Sequence, residues 1–167
     1  MLNSPRFFLR PMEPADLEQV LAIQAQAYPP ELHESAQVFS GKLRQFPGSN
    51  WVAQGDEGLL AYLFAQPALY LHPPSLNDPG TPVTGADALH LHDMAVAPAA
   101  RGLGLARSLV RDCLEWGRRQ GLHWATLIAV GDSPAFWAGQ GFAPGNPVTP
   151  LACYGPKACY MHRSLLG

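Results

Sequence analysis

A mixed α/β (α+β) fold, with a central sheet of about seven strands and flanking helices in one domain, is predicted by three features of the sequence. Short apolar runs that read as strands alternate with segments of helical period. The stretch from Leu89 to Val130 reads as strand, long helix, strand, a unit that implies parallel pairing. The bulk balance is globular: 167 residues suit a single core, with 47% hydrophobic and 14% charged residues.

Phe7, Phe8 and Leu9 suggest a first strand, interrupted by Pro11 and Pro14. Asp16 to Ala27 reads as a helix with Leu17, Val20, Leu21 and Gln24 on one stripe. Tyr28-Pro29-Pro30 ends it, because a residue before proline disfavours the helical region. Ser35 to Phe46 reads as a second helix with Val38, Phe39, Leu43 and Phe46 inward. Trp51 to Ala53 and Leu59 to Tyr70 read as strands paired around the turn Gly55-Asp56-Glu57-Gly58. His72 to Asp87 holds four prolines and two glycines without periodicity, which reads as a long loop. Leu89 to Val96 is the next strand. Gly102 to Arg119 is the strongest helix, with Ala106, Leu109, Val110, Cys113, Leu114 and Gly117 at helical spacing. Leu122 to Val130 reads as a buried strand and Pro134 to Gly139 as a short helix closed by Gly141. Phe142 and Ala158 to Leu165 supply the final strands.

A formal net charge of -2 offers no basic surplus for a nucleic-acid backbone, which argues against a nucleic-acid partner. Cys113, Cys153 and Cys159 follow no metal-ligand spacing and read as buried free thiols in a reducing cytoplasm. The histidines show no ligand grouping, so no metal is expected. No apolar run is long enough to span a membrane, and the N-terminus lacks a signal-peptide core. The expectation is a soluble cytoplasmic protein with no membrane partner; its oligomeric state stays open, a homodimer included.

The segment Met94-Ala95-Val96-Ala97-Pro98-Ala99-Ala100-Arg101-Gly102-Leu103-Gly104-Leu105-Ala106-Arg107 carries the chemistry. A strand ends, a glycine-bearing turn follows and a long helix begins. A helix start leaves N–H groups unpaired and carries partial positive charge, and glycines let a pyrophosphate approach them closely. Arg101 and Arg107 add charge. An ordinary strand-to-helix turn would also contain Gly-x-Gly. A dinucleotide fingerprint fails because Arg107 stands where its third glycine belongs, and a P-loop fails for want of Gly-Lys-Ser/Thr.

These residues fit motif A of the GNAT acetyltransferase superfamily, Arg/Gln-x-x-Gly-x-Gly/Ala, as Arg101, Gly104 and Ala106. The later Ser133-Pro134-Ala135-Phe136-Trp137-Ala138-Gly139-Gln140-Gly141-Phe142 resembles that superfamily's short helix ending in Gly-Phe. The resemblance implies the GNAT fold, its sheet splayed at an acetyl-CoA site. It implies that acetyl-CoA is the co-substrate, held by Met94, Ala95, Val96, Arg101, Gly102, Leu103, Gly104, Leu105, Ala106, Arg107, Ser133 and Trp137.

His90 and His92 lie on the strand just before this loop, and residues two apart share a strand face. Two imidazoles side by side, titrating near pH 6.5 when unperturbed, can relay a proton from an ammonium. Two ordinary strand histidines are the competing reading. The pair followed by Met94-Ala95-Val96 resembles the arylalkylamine N-acetyltransferase branch, which implies a catalytic role for His90 and His92 and a small-molecule primary amine as partner. The segment Tyr154-Gly155-Pro156-Lys157 and the loop Tyr28-Pro29-Pro30-Glu31 are similar to that branch too. Tyr28, Pro29, Glu31 and Tyr154 are the candidate substrate-binding residues.

Two positions depart from the branch. Trp137 stands where a tyrosine is usual, and an indole cannot serve as an acid. Asp93 replaces an apolar residue, and by alternation should face away from His90 and His92 unless the strand bulges. Glu31 and Glu34 read as solvated loop acids, and Tyr28, Phe39 and Trp51 as either aryl-pocket or core aromatics. A non-catalytic acyl-CoA sensor and a protein lysine or N-terminal acetyltransferase are the alternatives to small-molecule acetylation.

Overall fold

In the computed structural model, residues 6–166 are described. Seven strands form one sheet in the order β1-β2-β3-β4-β5-β7-β6: β1 (Phe7–Pro11), β2 (Trp51–Gly55), β3 (Leu59–Ala68), β4 (Ala88–Val96), β5 (Trp124–Ala129), β6 (Ala143–Pro144) and β7 (Cys159–Ser164). Among the described residues only β4 and β5 pair in parallel, joined across α3 (Leu105–Arg119); every other pairing there is antiparallel. This is the predicted GNAT-type architecture, an open mixed sheet with flanking helices.

The sheet separates two apolar layers. Leu109, Val110, Cys113 and Leu114 of α3 pack on Ala61, Leu63, Leu89 and Leu91. On the opposite face α1 (Leu17–Ala27) and α2 (Ala36–Gln45) place Val20, Ile23, Phe39 and Leu43 on Val52, Tyr62 and Phe64. Strand alternation dictates this split: Ala61, Leu63 and Ala65 face α3 while Tyr62 and Phe64 face the helix pair. Phe39 stacks on Phe64 with centroids 4.4 Å apart, so it is a core residue and no part of an aryl pocket.

The element boundaries shift modestly from expectation. Pro11 ends β1 at the sheet's edge without breaking it, because an edge strand tolerates a missing donor. Ser35 caps α2 by accepting from the Val38 N–H at 3.2 Å. The predicted start of the long helix at Gly102 is corrected: Gly102 and Gly104 hold positive φ of 87° and 75°, so α3 begins at Leu105. The proline-rich connection after β3 is irregular, as its composition implies, yet it packs on the domain. The Asn77 N–H reaches Glu34, and the Pro74 carbonyl accepts from the Tyr154 hydroxyl.

Candidate active site

Parallel pairing of β4 with β5 runs only from Ala88↔Trp124 to Leu91↔Leu127. Beyond that point β4 stays on β3 and β5 stays on β7, so the two strands splay apart. A cavity of about 470 Å³ opens in the gap, lined by Met94, Ala95 and Val96 on one side and Ile128, Val130 and Ser133 on the other. Trp137 from α4 (Pro134–Gly139) is 8% exposed and lines the same cavity, wedged edge-on against Phe136 and Phe142.

The mouth of the groove meets the start of α3. The first intrahelical bond runs from Ser108 N–H to the Gly104 carbonyl at 3.1 Å, which leaves the Leu105, Ala106 and Arg107 N–H groups ahead of it. A Cβ built on Gly102 or Gly104 meets nothing within 4 Å, so this backbone faces open space. Arg101 and Arg107 flank a hollow lined by Gly102, Gly104, Leu105 and Ala106, and neither arginine has an ion-pair partner among the described residues. A cradle of free donors, open backbone and two unpaired cations fits a pyrophosphate. Leu103 instead turns toward the core.

Deeper in the groove, β4 bulges. Phe64 pairs with Asp93 and Ala65 with Leu91, so His92 is the extra residue. The bulge reverses the faces: Leu89 and Leu91 pack on the α3 side, whereas Ala95 packs on the α1 and α2 side. Asp93 therefore joins His92 at the cavity instead of pointing away, which corrects the alternation argument.

Around the bulge lies a buried polar network. His92 Nε2 is 2.8 Å from Glu34 Oε1, with both side chains almost fully buried. Glu34 Oε2 accepts from the Asn77 N–H at 2.7 Å, and Gln24 bonds the Glu34 backbone at both its N–H and C=O, each at 2.9 Å. The expectation of a solvated Glu34 is thus overturned: it is 3% exposed. Burial raises the Glu34 carboxyl, but the His92 bond, the charges of His92 and Lys42 and the Asn77 amide outweigh it and hold the group below its ordinary value. Lys42 of α2 is also buried and donates to Gln66 Oε1 at 3.1 Å. With Glu34 a hydrogen-bond acceptor, His92 donates through Nε2. Its Nδ1 is buried without a hydrogen-bond partner.

His90 sits behind this wall. Its Nδ1 lies 2.9 Å from Thr126 Oγ1, and burial, then the His92 and Lys42 charges, push its pKa well down, so the ring is neutral. The two imidazoles share a face at 5.9 Å between centroids, each with its own partner, and only His92 lines the cavities. Of the substrate candidates, Tyr28 lines the groove, its hydroxyl bonded to the Met94 carbonyl at 2.6 Å, and Pro29 lies beside it. Tyr154 stands edge-on to His92 at 6.5 Å with its hydroxyl on the Pro74 carbonyl, and burial pushes its pKa up. Glu31 is exposed at an outer hollow next to Tyr154. Trp51 is half-buried against the α3-side core and lines no part of the groove.

Burial, then the neighbouring Glu34, push the Asp93 carboxyl up to about 7, against the lowering effect of the Tyr62 hydroxyl, which donates to it at 3.0 Å. A carboxyl whose pKa is raised on folding holds its proton more tightly in the native state. It therefore costs stability as pH rises from the ordinary carboxylate range to about 7, with no further loss above. Asp93→Asn escapes that cost. Its melting midpoint relative to wild type is expected to climb by a few degrees between pH 4 and 7 and then level off; a pH-independent difference contradicts the burial assigned to Asp93.

Among the described residues, no group of three or more His, Cys, Asp or Glu is placed to hold a metal ion. No helix there is long and apolar enough to cross a membrane. Residues 17–142 match the family model described as the acetyltransferase (GNAT) family. No curated protein sequence matches the chain. Three solved structures illustrate the likeness in fold. GphF, a GNAT-like decarboxylase in complex with isobutyryl-CoA, superposes with a TM-score of 0.80 at 18% identity, covering 95% of this chain and 100% of that one. The GNAT family N-acetyltransferase YhbS from Escherichia coli, in complex with CoA, gives 0.71 at 22% identity over 99% of this chain and 85% of its own. The NatC complex bound to Gag peptide and CoA gives 0.74 at 17% identity, covering 96% and 99%.

Proposed function

The chain belongs to the acetyltransferase (GNAT) family, and from that membership we propose that it moves an acetyl group from acetyl-CoA to the primary amine of a small molecule by direct attack, with His92 as the base. The observation that carries this reading is the Nδ1 of His92, buried and unpartnered where the groove meets a smaller acidic pocket. Glu34 on Nε2 fixes the tautomer and stabilises the imidazolium that forms when Nδ1 takes a proton. His90, neutral and tied to Thr126, backs the His92 ring and takes the second role in the pair.

The amine arrives as ammonium and is not a nucleophile until it loses a proton. His92 Nδ1 accepts that proton at the bulge, and Glu34 supplies negative charge for the cation before transfer. Acetyl-CoA supplies the thioester: the neutral amine nitrogen attacks its carbonyl carbon, the C–S bond breaks, and CoA leaves as the thiolate, a departure that a reference thiol pKa of about 8.5 permits without an acid. Arg101, Arg107 and the amides from Gly102 to Arg107 are suited to hold its pyrophosphate, the Met94–Val96 edge to pair with its amide-bearing arm, and Ser133 and Trp137 to wall its thioester end. None of the three thiols lines the groove: of the three expected to be buried, only Cys113 is, in the core; Cys153 is exposed at the outer hollow, and Cys159 is half-buried against the α3-side core. The resemblance of His90 and His92 to the arylalkylamine branch supports a small-molecule amine as acceptor.

An amine-library screen that follows CoA release tests the reading: turnover with at least one small primary amine supports it, and acetyl-CoA binding without turnover of any amine rejects it. Trp137 gives a narrower test. Wedged between Phe136 and Phe142, it acts as packing at the thioester end, so Trp137→Phe is expected to keep most activity. Trp137→Tyr, which places a phenol titrating near pH 10 there, is expected to leave kcat level or modestly raised. Severe loss in both, with folding and acetyl-CoA affinity intact, overturns the packing role.

A further inference from the structure

The proline-rich connection between β3 and β4 is tied down at its ends and again at the site. Asp87 draws the ends together: its N–H donates to the Ala68 carbonyl at 3.1 Å, and its Oδ1 accepts from the Tyr70 N–H at 2.8 Å. Between the ends, the Pro74 carbonyl accepts from the Tyr154 hydroxyl at 3.1 Å, and the Asn77 N–H donates to Glu34 Oε2 at 2.7 Å. Pro73, Pro74, Pro79 and Pro82 restrict the backbone between these ties, so the segment is a stiff strap and not a slack loop.

Where the strap lies on α2, two glycines let the backbones touch. A Cβ built on Gly41 stands 2.5 Å from the Pro79 carbonyl oxygen and 3.1 Å from the Pro79 Cβ. A Cβ on Gly80, which holds φ 94°, stands 3.0 Å from the Lys42 Cα and 3.3 Å from the Gly41 carbonyl oxygen. Glycine weakens a helix interior, so helix propensity argues against Gly41 in the middle of α2, and the close approach of Pro79 accounts for it. Because the 2.5 Å contact is with the backbone of a stiff segment, even one methyl group at Gly41 has to displace the strap or the helix.

We infer that the strap positions the proton acceptor, with Gly41 and Asn77 as its positioning residues. Gly41 admits Pro79 onto α2. Two residues earlier in the chain, the Asn77 N–H then meets Glu34 Oε2, and Glu34 Oε1 holds His92 Nε2 at 2.8 Å. Gln24 bonds only the Glu34 backbone, so among the described residues the carboxylate itself has two hydrogen-bond partners, His92 and Asn77. Neither Gly41 nor Asn77 lines the groove or the acidic pocket, so each acts through Glu34. This role presupposes the acetyltransferase reading, in which His92 is the base, and adds to it two residues remote from acceptor and acetyl-CoA.

A double-mutant cycle tests it, with initial rates for the small primary amine that wild type acetylates fastest, measured in wild type, Gly41→Ala, Glu34→Gln and the double variant. Gly41→Ala is expected to lower kcat/KM for the amine by roughly 10- to 100-fold, since misplacement by about 1 Å can cost 10²-fold. The melting-midpoint shift given by acetyl-CoA is expected to stay at its wild-type size. In the Glu34→Gln background the same substitution is expected to cost no more than about 2-fold, because the carboxylate it positions is gone. An equal loss in both backgrounds marks a purely structural role and overturns the inference, as does a folded Gly41→Ala with wild-type rates. Should Gly41→Ala fail to fold, Asn77 decides. Asn77→Pro removes the N–H donor and is expected to reproduce the loss, whereas Asn77→Gly keeps the donor, suits the φ of 71° and is expected to be spared it. Equal rates in those two variants overturn the strap while leaving acyl transfer standing. Absence of turnover by wild type with every amine rejects acyl transfer and the positioning role together.

Discussion

His92→Gln is expected to lower kcat/KM for amine acetylation by roughly 10²- to 10⁴-fold near neutral pH, the usual contribution of a positioned proton acceptor. Glutamine keeps a side-chain amide that can reach Glu34 but has no basic lone pair at the position of Nδ1. The loss is expected to shrink as pH rises toward the ordinary amine pKa of about 10.4, because more of the acceptor then arrives already neutral. Stabilisation by acetyl-CoA is expected to persist, since the phosphate cradle lies at the far end of the groove. His90→Gln, behind the wall and already bonded to Thr126, is expected to cost less. A His92→Gln variant with the wild-type pH-rate profile removes His92 from the proton path.

Gly104→Glu is expected to abolish the stabilisation that acetyl-CoA confers. A ligand bound only by the native state at about 100 times its Kd contributes roughly 2.7 kcal/mol, or about 5–11 °C in a domain of this size. Gly104 sits at φ 75° with its Cβ direction open, so a glutamate projects an anion where the phosphate cradle expects its ligand. A non-glycine residue there also strains the backbone by roughly 1–3 kcal/mol, which lowers the midpoint without ligand. Gly104→Ala carries the same strain without the charge and is expected to retain part of the ligand shift. An undiminished shift in Gly104→Glu rejects the loop assignment.

Most of the frame was legible in the sequence because it depends on local pattern. The stripe Leu109, Val110, Cys113, Leu114 and Gly117 specifies α3 and its buried face, and the glycines ahead of it specify a turn that residues with side chains adopt poorly. The parallel pairing of β4 with β5 followed from the one strand-helix-strand unit. The polar centre was legible only in part. His90 and His92 stand out by spacing, but the bulge that turns Asp93 onto their side is a register event between β3 and β4, and a period-2 pattern carries no trace of it. Glu34 lies 58 positions from His92 in the chain and reads locally as one more polar loop residue. A signal for the network did exist on the helices: Gln24 falls on the apolar stripe of α1, and Lys42 sits between Phe39 and Leu43 on the inward face of α2. A polar side chain on a core-facing stripe needs a buried partner, and following those two leads to Glu34, Gln66 and the site.

Because a fold of this kind also carries a decarboxylase in complex with isobutyryl-CoA, the most direct test of acetyl transfer is the stoichiometry of its products. Acetyl-CoA and a small primary amine are incubated with the protein, and free CoA and N-acetylated amine are quantified together over time. The expected result is equal amounts of the two at every time point, with both falling together in His92→Gln. CoA released without acetylated amine, or no release with acetyl-CoA bound, contradicts direct transfer to an amine.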